Sequence, residues 1–122
     1  FDDNNNPKVI VGRLKVQYSH AIQNAISFSR RKIGVNYDDV FILDNDQYYC
    51  SELIYEAFVK DSIFQLKPMT FLHPESNDTL QTWIDYYSKL GKEIPQNKLG
   101  INPGLSHIAS NNPKVKASFN PL

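Results

Sequence analysis

The chain has 122 residues, 41% of them hydrophobic, and its 13 basic and 13 acidic side chains cancel. A chain of this size makes one domain rather than two and buries about two-thirds of its surface, and the balanced charge argues against a nucleic-acid binder built on clustered Lys and Arg. The sequence has no run of eighteen apolar residues, and its one Cys excludes an internal disulfide and a Cys-based zinc site.

The opening Phe1-Asp2-Asp3 and its three Asn are neither an initiator Met nor a secretion signal, so we expect a chain that has been cut or one that begins inside a longer one. Asp2 to Pro7 reads as a polar loop. Lys8 to Lys15 is short, β-branched and bounded by turn residues, which predicts a strand, with Gly12 marking a bulge or a close backbone approach. From Ser19 the period lengthens. Ile22, Ile26, Ser29 and Ile33 form one stripe, widened by Ala21, Ala25 and Phe28. Ser19 is the expected cap, Arg30, Arg31 and Lys32 suit the last turn, and Gly34 ends the helix.

Val40 to Leu43 is too short to assign, and Asp44-Asn45-Asp46 breaks the chain. A second helix is expected from Cys50 to about Lys60, burying Leu53, Ile54, Ala57 and Phe58. Pro68 and Pro74 punctuate a loop. Thr79 to Leu90 is a third helix, with Leu80, Trp83, Ile84, Tyr87 and Leu90 inward and Gly91 as its stop. Asn102-Pro103 opens a short final helix, and the tail to Leu122 shows no period. One strand beside three or four helices is an unbalanced inventory, because a lone strand is not stable. Its partners must come from residues outside this chain, from another chain, or from segments that read as loop.

Cys50 carries the chemistry. A polar turn, Gln47-Tyr48-Tyr49, feeds a helix whose first residue is the Cys. Free N–H groups and the positive end of the helix dipole there favour thiolate over thiol, and the same N–H groups can receive an oxyanion. Two readings stand at this point: an activated nucleophile, or a small buried hydrophobe, which is what free Cys more often is.

Tyr49-Cys50-Ser51-Glu52-Leu53-Ile54, with Tyr55 and Phe58, resembles the nucleophile motif of the YiiX/YaeF-like permuted papain-like amidases, circularly permuted relatives of the NlpC-type cell-wall cysteine peptidases. Gly34-Val35-Asn36-Tyr37-Asp38 upstream is similar to that family's Gly-x-x-Tyr-Asp segment. Gly91-Lys92-Glu93-Ile94-Pro95 and Asn102-Pro103-Gly104-Leu105 are similar to its closing loop. The resemblance spans about residues 8 to 110. It implies an α+β, papain-like fold with helices packed on a small antiparallel sheet. It implies a thiolate at Cys50 that attacks an amide or ester carbonyl, with a His as base and a polar residue orienting it. In the permuted order that His and its acidic partner precede the Cys on strands, and this chain begins after both. Residues 1–122 then read as one domain, the C-terminal portion of a longer hydrolase whose N-terminal strands are missing or come from another chain.

The chain's own His residues do not replace the missing base. His20 precedes Ala-Ile-Gln-Asn-Ala-Ile, whose period is helical, so it reads as a surface or capping residue at a helix start. His73, before Pro74, reads as a loop residue; His107 reads as a surface residue, or one that a short closing helix brings near a cleft; and three His without a partner at ligand spacing predict no metal and no cofactor. Around Cys50, Tyr49 and Tyr37 are candidates to touch substrate or shape the site, and Ser51 to lend its N–H. Glu52 suits the first helical turn, or holds the loop ahead of the Cys; it is not the base, because a carboxylate that close raises the thiol's pKa. The substrate implied is a small-molecule, lipid or peptide amide such as a peptidoglycan stem, in an extracytoplasmic setting suggested by the resemblance alone. The rival reading is a non-catalytic binding or structural domain of the same fold.

Overall fold

The computed structural model describes residues 11–102 and 112–118. Strand β1 is Val11–Leu14, and helix α1 is His20–Arg31. Helix α2 is Cys50–Ala57, continued by a 3-10 turn at Val59–Asp61. Strand β2 is Lys67–Pro68, helix α3 is Gln81–Leu90, β3 is Leu99–Gly100 and β4 is Val115–Ser118. The architecture is α+β: β1 pairs antiparallel with β4, and β2 pairs antiparallel with β3. The partner of β1 is therefore one of the stretches that read as loop. Val115-Lys116-Ala117-Ser118 is too short for its alternation to stand out among Asn, Pro and Lys. Val40 to Leu43 forms no strand, and Pro68 lies in one. The predicted helix at Asn102-Pro103 falls outside the described residues.

Helices α1 and α2 pack through small residues. Ala21 and Ala25 are buried, and the Phe28 ring meets Tyr48 edge-to-face at 6.3 Å. The expected inward stripe is corrected here: Ile22 and Ile26 stay about 40% exposed and Ile33 lies 82% exposed. The Ala row wins because it lets two backbones approach closely, and the Ile row beside it is left uncovered. Ser19 makes no side-chain capping bond. Similarly, Ala57 of α2 is buried but Ile54 is half exposed, while Leu80, Ile84 and Leu90 of α3 are exposed beside a buried Tyr87. Gly91 ends α3 at φ 62°, the left-handed conformation its missing Cβ permits.

The densest packing is aromatic. Met69, Phe71 and Tyr87 are buried together, with Val40, Phe41, Trp83, Tyr86 and Ile94 packed against them. The rings of Phe71 and Trp83 meet edge-to-face at 5.2 Å, a geometry favoured by the ring quadrupoles. This cluster ties α3 to the loop between α1 and α2. Gly100 is also fixed by packing, since a Cβ there would lie 2.6 Å from the Met69 sulfur.

Candidate active site

Two short segments converge on Cys50. The loop after α1 runs parallel to the turn before α2, bridged at Tyr37 and Tyr48: Asp38 N–H donates to the Tyr48 carbonyl at 3.2 Å and Tyr48 N–H to the Asn36 carbonyl at 3.3 Å. Cys50 is then the first residue of α2, and it is exposed. Of the two readings of this thiol, its exposure removes the small buried hydrophobe. Its thiol stands at a helix start, open to solvent, and no side chain covers it as it would cover a core cysteine.

Tyr37 is brought beside the turn that leads into Cys50 by its bridge to Tyr48. Burial raises its phenol above the ordinary value, and the charge of the neighbouring Cys50 raises it next. The ring itself is 52% exposed. A hydroxyl in this place can donate to a thiolate or to an oxyanion forming beside it.

Tyr49 and Ser51, on either side of Cys50, hold one distant residue. Ile101 N–H donates to the Tyr49 hydroxyl at 3.1 Å, and the Ser51 hydroxyl donates to the Ile101 carbonyl at 2.8 Å. Tyr49 is 3% exposed, so its ring builds the wall rather than offering a face. Burial raises its phenol, while the Ile101 hydrogen bond opposes that and the nearby Glu52, Asp38 and Cys50 charges add to it. Sequence reasoning missed Ile101. Fifty residues separate it from the motif, and its role is played by backbone, which leaves no residue-type signal.

Glu52 sits one turn into α2 and is 3% exposed. Its carboxylate accepts the Tyr49 N–H at 3.3 Å, the backward reach of a capping box. Burial pushes its pKa up to about 7; the Tyr49 hydrogen bond pulls against this, and Asp38, Glu56 and Asp44 push with it. A hollow lined by Asp44, Asn45, Asp46, Gln47, Tyr48, Glu52 and Glu56 lies on this side, and Cys50 does not line it. Asp38, which the residue reading did not single out, is fully buried. Its two carboxylate oxygens accept Val40 N–H and Ile42 N–H, both at 2.8 Å. The sequence signal was present in an Asp opening a turn, which caps its own loop.

The His residues are placed as follows. His20 Nε2 lies 2.7 Å from Asp61 Oδ1, in the turn beyond the end of α2. Phe28 of α1 meets Tyr48 at the start of α2, so the helices run antiparallel and His20 lies at the end opposite Cys50. Eight helical residues span about 12 Å. His20 is thus exposed, as the period indicates, and too distant to serve Cys50. His73 Nδ1 accepts the Glu75 N–H inside its loop at 3.2 Å. His107 lies outside the described residues. Among the described residues, no group of three or more His, Cys, Asp or Glu is placed to hold a metal, and no helix is long and apolar enough to cross a membrane.

Comparison with known proteins bears on the fold and the family. No curated protein matches the chain. A solved structure titled as the metalloprotein yiiX from Escherichia coli O157:H7 shares its fold, with a TM-score of 0.65 at 20% sequence identity. That match covers 89% of this chain and 59% of the yiiX chain, so this chain accounts for less than two-thirds of its neighbour's length. A family described as permuted papain-like amidase enzyme, YaeF/YiiX, C92 family, matches residues 4–111. The chain belongs to the YaeF/YiiX, C92 family of permuted papain-like amidases.

Proposed function

We propose that this chain is the nucleophile-bearing part of a cysteine hydrolase of amide bonds. The observation that carries the reading is the exposed Cys50 at the first position of α2, with Tyr37 bridged to the turn just ahead of it. The Cys50 thiolate adds to the amide carbonyl carbon and forms a C–S bond. The negative charge that develops on oxygen is met by α2 backbone N–H groups and the Tyr37 hydroxyl. The C–N bond then breaks, the amine leaves with a proton from the general acid, and water hydrolyses the thioester to release the acid and restore the thiol.

We assign the general acid and base to a His outside these 122 residues, on strands that complete the sheet, with His107, which lies outside the described residues, as the alternative. Two observations support this. His20 and His73 are committed elsewhere in the fold, and the chain spans only 59% of the length of its structural neighbour. The substrate is a peptidoglycan-peptide or N-acyl type amide, a choice supported by the family's amidase description for the bond alone. Tyr49, Ser51 and Glu52 shape the site, and Tyr37 touches the reacting atoms.

The test uses the full-length protein. Because Cys50 is the sole cysteine of this chain, alkylation reports on it directly wherever the remainder adds none. Native protein should react with iodoacetamide faster than a free thiol at neutral pH and cleave an amide substrate, and Cys50→Ala should do neither. A native thiol no faster than free cysteine sinks the nucleophile.

A second reading is favoured by one observation: neither described His lies at Cys50. The domain would then bind an amide-bearing ligand without cleaving it. Saturable ligand binding with no turnover in the full-length protein distinguishes it.

A further inference from the structure

Tyr37 has little packing of its own, being half exposed, so its place at Cys50 is imposed by the backbone on either side. On the N-terminal side the parallel pairing with Tyr48 does this. On the C-terminal side the chain is held by α3. The Tyr86 hydroxyl donates to the Asp39 carbonyl at 2.8 Å, and the Tyr87 hydroxyl to the Val40 carbonyl at 2.9 Å. Between those carbonyls and the next turn, Phe41 adopts φ 59°, a left-handed conformation that a bulky residue rarely takes without support. Its ring stacks on Tyr86 at 6.1 Å and meets Tyr49 edge-to-face at 5.6 Å. A loop held in a conformation it does not favour, four residues from Tyr37, points to a positioning device rather than a mere connection.

The two tyrosines differ in kind. Tyr87 is 1% exposed and belongs to the core. Tyr86 is half-buried and reaches out of the helix to the Asp39 carbonyl, and its phenol is raised by burial first and then by the charge of Asp39. We infer that Tyr86 is a positioning residue of the Cys50 site: by holding the Asp39 carbonyl it fixes the Tyr37 hydroxyl beside Cys50. This rests on the reading of Cys50 as the reacting thiol.

The experiment is the rate of iodoacetamide alkylation of Cys50, from pH 6 to 9, in the full chain as native protein, Tyr37→Phe, Tyr86→Phe and the double variant. Removing the Tyr37 hydroxyl slows alkylation about threefold to tenfold at neutral pH, the worth of one hydrogen bond to a charged sulfur. Tyr86→Phe slows it by a part of that factor and moves the pH profile in the same direction. The double variant is no slower than Tyr37→Phe alone, because the second hydroxyl acts only through the first. Effects that multiply in the double variant, or a Tyr86→Phe profile identical to native, overturn the inference. So does a Tyr37→Phe profile identical to native. Thermal midpoints are measured for each variant, and rates are compared at equal distances below them, so that general loosening is separated from positioning. If native Cys50 reacts as an ordinary thiol and the two variants still fail to add, the positioning stands and the nucleophile reading alone falls.

Discussion

At Glu52 the neighbours oppose the charge. Burial raises its pKa from 4.5 to about 7, with Asp38, Glu56 and Asp44 adding to the effect. A carboxyl raised on folding favours the folded state where it is protonated. That stability is whole below about pH 4.5 and is lost as the pH rises through about 7. Thermal unfolding from pH 4 to 8 should show Glu52→Gln gaining several degrees over native at pH 8 and little at pH 4.5, because Gln keeps the contact to Tyr49 N–H without the charge. Asp38 is the opposite case in its contacts, with a backbone donor at 2.8 Å on each oxygen. Asp38→Ala leaves two loop N–H groups without partners, and denaturant unfolding should record a loss of about 2–4 kcal/mol together with slower Cys50 alkylation. The residue scale was the most legible in the sequence. Cys50 at a helix start and Glu52 in its first turn both follow from local rules. The depth of Glu52 does not, since it depends on the loop from 38 to 46 closing over it.

Among the elements, the three helices were read in place and their faces only in part. The Ile stripe of α1 gave the correct period but the wrong buried side, because period fixes the face to within one step and the size of the partner decides the rest. Ala21 and Ala25 allow the close approach that Ile22 and Ile26 would block. The short strands were illegible for a different reason: two-residue β2 and β3 are defined by their pairing, not by any alternation of their own. Gly100 in β3 makes this pairing testable. Its absent Cβ is where the side chain of the buried Met69 lies, with three Met69 atoms within 2.9 Å. Gly100→Ala makes the buried Met69 side chain shift, and we expect a loss of about 1–3 kcal/mol in chemical unfolding, with the double variant Gly100→Ala, Met69→Ala losing less than the sum of the two single changes.

For the whole molecule, large apolar side chains remain in view on the helices, among them Ile22, Ile26, Ile54 and Ile84. On our reading that further strands complete the fold, some of this surface is covered in the full-length protein. Replacing Ile22 or Ile26 by Asp would then cost little in residues 1–122 and more than about 2 kcal/mol in the full-length protein. Equal small losses in both would show that these faces meet water in each. The family, matched over residues 4–111, was legible as a resemblance, whereas the partner of β1 was not, because the pairing joins Val11 to Ser118 across nearly the whole chain.

The grip of Tyr49 and Ser51 on Ile101 has a kinetic consequence. It closes a loop of fifty residues on either side of Cys50, and that loop contains α3 and both strands of the smaller sheet. Contacts so far apart in sequence form late, after the intervening chain has collapsed. The thiol is therefore present from the first moments of folding, but its surroundings are assembled among the last events. In refolding, alkylation of Cys50 would reach its native rate only after the helical signal has fully returned, so the reactivity of this one sulfur serves as a clock for completion of the fold.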